Sequence, residues 1–234
     1  MRELIEVIKE TVVPNFLNIK TAIRAYDRDA ICCNAPCWRW AYHTLHSADK
    51  WFINPYKYDE PDFHEAGMDN PDNPTDVVLS DEQLLEYLDK IEKKTLDYLD
   101  TLTDEMLYEK PENCPYTRME LVLRQYRHLS FHTGMLNGQT AVATGKFPMW
   151  VSQPDKYADD GIVFGRNRKG QYHSDNKPLT VTDRAFKTAD DDTDDTIRVI
   201  PDIITTFPYL SCMEQVRDFH KTSLRRDCSS THSE

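Results

Sequence analysis

The segment Ser80-Asp81-Glu82-Gln83, followed by Leu84, Leu85, Leu88, Ile91, Thr95, Leu96 and Leu99, admits one local structure. A hydroxyl three residues ahead of a Gln is the spacing at which side chain and backbone cap one another at a helix start. The apolar positions then recur at the helical period, with Asp89, Lys90, Glu92, Lys93 and Lys94 on the opposite side. Three further segments carry the same period. Glu3–Tyr26 carries Leu4, Ile5, Ile8, Val12, Val13, Phe16, Leu17, Ile19 and Ile23, close to that recurrence. Pro14 interrupts it, and the lost hydrogen bond predicts a kink or a helix that starts afresh there. Asn34-Ala35-Pro36 reads as a cap followed by a first-turn proline. The run Cys37–Asn54 then aligns Trp38, Ala41, Leu45, Ala48 and Phe52. A fourth helix spans Thr117 to Thr144, with Gly145 as its stop signal.

Four amphipathic helices can bury their stripes only against one another, so the expected fold class is all-α, a four-helix bundle. Composition agrees: seven glycines in 234 residues are too few for the many tight turns of a β-sandwich, and 39% apolar residues suffice for a core. Pro55 to Pro74, rich in proline, Asp and Asn, is expected to be a long surface connection. The texture changes after Trp150. We therefore expect a bundle over residues 1–154 and an acidic C-terminal extension over 155–234, loosely ordered apart from a candidate strand at Ile197–Leu210 and a candidate helix at Ser211–Leu224.

Forty acidic against 28 basic residues give a formal charge of −12, and no basic stripe follows the chain, which argues against nucleic-acid binding. The apolar runs are short and interrupted, and Met1-Arg2-Glu3-Leu4 opens a helix pattern rather than a signal peptide; the expectation is a cytoplasmic protein with no membrane segment. The six cysteines read as reduced thiols. Cys32, Cys33 and Cys37 crowd together, but no second Cys or His pair follows at zinc-knuckle spacing.

Chemistry concentrates in histidines. His128 and His132 stand at i and i+4 on the fourth helix, one above the other, a spacing that lets two imidazoles share one cation. His43 and His46 stand on the second helix. Three imidazole nitrogens from two helices would hold a divalent metal such as Zn, Ni or Fe and leave positions open for water or substrate. Helix phase favours His46 as the third ligand, because His43 lies almost opposite the Trp38–Leu45–Phe52 stripe.

The stretch Tyr-His-Thr-Leu-His-Ser-Ala-Asp-Lys-Trp-Phe at 42–52 resembles the His-bearing second helix of DinB/YfiT-like proteins. Arg-His-Leu-Ser-Phe-His-Thr-Gly-Met-Leu at 127–136 resembles their later His-x-x-x-His-x-Gly-Gln-Leu helix. The likeness covers roughly residues 1–150. It implies that His128 and His132 are metal ligands and that His43 is the third, slightly ahead of His46. One departure stands out: Met135 replaces the Gln after the motif's Gly, with Asn137 and Gln139 as nearby polar alternatives.

The resemblance implies a metal-dependent enzyme that transfers a low-molecular-weight thiol, as cosubstrate, to a small electrophilic molecule; metal-assisted hydrolysis is a variant. The competing expectation is a non-catalytic, stress-associated bundle that binds metal or a ligand, with a homodimer as its assembly. Lesser candidates are Asp49 as an orienter of an imidazole, Tyr42 and Tyr126 as donors to substrate, and Cys37 as a nucleophile. His64, His173, His220 and His232 fall in loops or the tail and receive no role.

Overall fold

The computed structural model describes residues 2–157, 159, 161 and 163–165. The acidic run at 190–195, the candidate strand and helix at 197–224, and His173, His220 and His232 lie outside the described residues. Within them the chain is mostly helical: α1 (Leu4–Ala25), α2 (Cys37–Trp51), α3 (Asp81–Leu99) and α4 (Arg118–Thr144). Each helix has two principal neighbours, in the cyclic order α1, α3, α2, α4. Phe16, Ile19 and Ile23 of α1, Tyr42 and Leu45 of α2, Leu84, Leu88 and Ile91 of α3, and Leu121, Leu129 and Leu136 of α4 fill the interior, each no more than 1% exposed. No helix among the described residues is long and apolar enough to cross a membrane.

The starts of α3 and α4 are set locally. Ser80 Oγ accepts from Gln83 N at 3.2 Å, and Gln83 Oε1 accepts from Ser80 N at 2.8 Å. Thr117 and Glu120 make the same reciprocal pair on α4, and Gly145 ends that helix in the left-handed conformation at φ 71°. The starts of α1 and α2 are set from a distance. Asp104, between α3 and α4, accepts from Leu4 N and Ile5 N at 2.8 and 2.9 Å, placing a carboxylate at the positive end of α1.

Asn34 does not cap α2. Residues Ile31–Cys32 and Ala35–Pro36 form a two-residue antiparallel hairpin, turned through Cys33 at φ 60°. The carbonyls of Ala30 and Arg28 then receive the first amides of α2, Cys37 N and Trp38 N. Backbone carbonyls just ahead of the hairpin thus satisfy donors that a capping side chain would otherwise take. Helix α2 also stops at Trp51, short of the predicted Asn54. Pro14 does not restart α1 either, which runs as one helix from Leu4 to Ala25. A proline forfeits a single ladder bond, while the apolar stripe on both sides of it, Val12 and Phe16, stays in the same core.

The long connection between α2 and α3 keeps to the surface over most of its length, as expected, and is anchored at a few points. Met68 is fully buried beneath it, and Leu79 nearly so. Arg39, itself 6% exposed, donates through Nη2 to the carbonyls of Met68, Asn70 and Asn73 at 2.9–3.2 Å. An irregular segment cannot pair its own carbonyls, and one guanidinium does it from the neighbouring helix. The connection is thereby tied to α2.

Beyond α4 the chain returns to α1. Asn18 exchanges two hydrogen bonds with the backbone of Val151, at 2.8 and 2.9 Å, and Thr21 Oγ1 donates to the Met149 carbonyl. Phe147 and Met149 pair with Gly165 and Val163, and Arg24 bonds Asp159.

Candidate metal centre

Helix α4 carries His128 and His132 on successive turns, with ring centroids 4.4 Å apart. Helix α2 is one of its two main neighbours and brings His43 against both, at 5.1 Å from the His128 ring and 4.9 Å from the His132 ring. Each of the three offers a ring nitrogen within 4.8 Å of the other two. His132 is buried, and His43 and His128 are half-buried, so the cluster reaches from the core toward solvent.

The surroundings of His43 fix its protonation pattern. Its Nδ1 lies 2.6 Å from the carbonyl oxygen of Asp69 in the connection. A carbonyl can only accept, so Nδ1 carries the proton and Nε2 presents its lone pair. That nitrogen lies 3.2 Å from Nε2 of His128. Two nitrogens bound to one tetrahedral ion at about 2.0–2.1 Å lie about 3.3 Å apart, so the spacing suits a shared cation as well as a shared proton. Trp40 stacks on His132 at 5.5 Å and 25°, and Phe131 meets the same ring edge-on at 5.0 Å. These aromatic walls lower the local dielectric and hold the ring's orientation.

His46, the alternative third ligand, faces elsewhere. It is more buried than His43, as helix phase predicts, yet its Nε2 donates to Glu60 Oε2 at 2.5 Å. Its ring stacks on His64 at 4.7 Å and 13°. His46, Glu60 and His64 form a second group whose ligand atoms lie within 4.8 Å of one another. Burial pushes the His46 imidazole below its ordinary pKa despite the Glu60 carboxylate, so the pair is a neutral donor on an anion rather than an ion pair. Partial burial alone would raise Glu60, but hydrogen bonds from His46 and Lys50 outweigh it and hold the carboxyl low.

No family model matches the chain, and no curated protein or solved structure matches it.

The lesser candidates find other partners. Asp49 does not orient an imidazole; it accepts from Tyr58 and Tyr87 at 3.0 and 2.9 Å and pairs with Lys94. Tyr42 is fully buried, and its hydroxyl meets His64 Nδ1 at 2.6 Å. Tyr126 is half-buried and lends its carbonyl to Asn15. Cys37 is 1% exposed, which closes it to an outside electrophile. A hydrogen bond from the Cys32 thiol holds Cys37 below its ordinary pKa, and the same bond, with burial, pushes Cys32 up. Met135 is buried, and Asn137 Oδ1 is buried without a hydrogen-bond partner among the described residues.

Asp69, Trp40, Phe131, Glu60 and His64 were not among the predicted site residues. Asp69 acts through its backbone, which side-chain identity cannot advertise. Glu60-x-x-x-His64 has a ligand-like spacing, but in a proline-rich connection that spacing carries no helical meaning. Only the turn at 61–64, closed by His64 N donating to Pro61 O at 2.8 Å, gives it one.

Proposed function

We propose that the chain is a four-helix bundle of the DinB/YfiT-like kind that holds a divalent cation on His43, His128 and His132 and transfers a low-molecular-weight thiol to a small electrophilic acceptor. The observation that carries this reading is the convergence of three imidazoles from two packed helices, one locked by the Asp69 carbonyl into the tautomer that a metal requires. The cyclic packing order of the four helices supports the bundle assignment.

When bound, the cation would supply Lewis acidity that lowers the pKa of a thiol, the general effect by which divalent metals generate nucleophiles at neutral pH. The chain's own residues do the rest. His132, buried between Trp40 and Phe131, is the rigid anchor, and the half-buried His43 and His128 form the side open to a small molecule. A three-histidine donor set leaves coordination positions for exchangeable ligands, which is the property of catalytic rather than closed structural sites.

One observation favours the competing reading of a binding protein without turnover. Met135 puts a buried thioether where the resemblance has an amide, so a polar contact to substrate is missing at that position. Metal analysis of untagged protein from metal-replete conditions tests the site. We expect stoichiometric metal in the wild type and the loss of the triad's equivalent in His128→Ala and His132→Ala. Metal-free wild type would end the proposal. A screen of thiols against electrophiles then separates the two readings: conjugation above the chelated control supports transfer, and none supports a binding role.

A further inference from the structure

We infer that His46, Glu60 and His64 form a second divalent-cation site, separate from the His43–His128–His132 group and with a mixed nitrogen and oxygen donor set. The two histidines and the carboxylate come from α2 and from the connection that crosses it. His46 Nε2 lies 2.5 Å and His64 Nε2 lies 3.8 Å from the same atom, Glu60 Oε2. The parallel rings, 4.7 Å apart, thus aim their Nε2 atoms at one carboxylate oxygen. The histidine side chains are only 3% and 8% exposed, and that of Glu60 is 39% exposed, so the group is walled by protein and open on its carboxylate side.

The remaining atoms of the group are held by partners suited to ligation. His64 Nδ1 lies 2.6 Å from the Tyr42 hydroxyl; in the tautomer that donates Nδ1–H to the phenol oxygen, Nε2 presents its lone pair toward Glu60. Glu60 Oε1 accepts from Lys50 Nζ at 3.1 Å, which leaves Oε2 as the single ligand oxygen. Lys50, the cation paired with Glu60 among the described residues, opposes a further cation there, so affinity rests on the donor atoms rather than on net charge. A carboxylate oxygen with two imidazoles is a donor set that binds zinc and leaves a fourth position open. A cation in that place would displace the proton that His46 now donates to Glu60, and it would clamp the connection onto α2.

Zinc titration of the full chain, freed of metal by chelator and followed by calorimetry, tests the site. Circular dichroism establishes that each variant is folded. We expect two equivalents in the wild type, with Glu60→Gln and His64→Ala each retaining only one or weakening the other by at least about 100-fold. The double variant His128→Ala/His132→Ala should keep the equivalent that His64→Ala loses. Zinc should also slow proteolysis within residues 55–79 in that double variant and not in His64→Ala.

Two outcomes overturn the site: a wild type that takes a single equivalent lost with His128 and His132, or two equivalents that survive in both Glu60→Gln and His64→Ala. A chain that loses its only equivalent in His64→Ala and keeps it without His128 and His132 would uphold this site and overturn the triad.

Discussion

The two histidine groups share one helix, and the connection touches a histidine of each, but their other ligands come from different kinds of structure. His43 meets His128 and His132, residues of a long helix seated by Leu121, Leu129 and Leu136 in the core. His46, three residues further along α2, meets Glu60 and His64, which belong to a segment with no regular structure. The first group inherits its geometry from helix packing. The second depends on tethers: Arg39 to three carbonyls, Tyr42 to His64, and Lys50 to Glu60. The difference teaches that burial and ligand grouping are separate properties. His46 is the more buried of the α2 pair, yet the partner of each histidine is decided by what packs across it.

The strongest way to break this contrast is Arg39→Ala. Losing the guanidinium leaves the carbonyls of Met68, Asn70 and Asn73 without their donor, and we expect a loss of about 3 kcal/mol in urea-induced unfolding. If the connection hangs on Arg39, zinc binding that depends on His64 should fall with it, while the α4 pair His128 and His132 keeps its spacing. Unchanged stability would mean that the connection is held by Met68 and Leu79 instead.

His132→Ala attacks the other group. Removing the buried anchor is expected to weaken triad metal at least about 100-fold, equivalent to about 2.7 kcal/mol, read by competition with a chromophoric chelator. Tyr42→Phe is gentler and selective. It deletes the hydroxyl on His64 Nδ1 and should weaken only the second equivalent, by about tenfold or 1.4 kcal/mol. An equal effect on both groups would show that the two are coupled through α2. Thr117→Ala should have the smallest effect, about 1 kcal/mol of stability from the lost α4 cap, measured as a shift in the urea midpoint. Metal affinity should hold, because His128 and His132 sit three and four turns inside the helix.

Much of the frame is legible in the sequence because its causes are local. Ser80 with Gln83 and Thr117 with Glu120 place two helix starts, Gly145 places a stop, and the apolar period selects the faces of α1, α2 and α3 that turn inward. The i, i+4 spacing of His128 and His132 likewise needs nothing beyond helical geometry to bring the rings together. Helix phase points to His46, which is the more buried of the α2 pair, while His43 is the one that meets His128 and His132 across the helix interface.

What the sequence alone did not decide is what no local rule encodes. Asp104 caps α1 from about a hundred residues away, and the carbonyls of Arg28 and Ala30, just ahead of the hairpin, cap α2. The choice between His43 and His46 is of this kind. Amphipathic period tells a helix which side faces inward, because burial is a property of one element against water. Which side chain meets which ligand depends on two elements at once. In this chain it took the packing of α2 on α4, and a connection pinned by Arg39 that lays Asp69 on His43 and Glu60 on His46, to separate two neighbouring histidines into two groups.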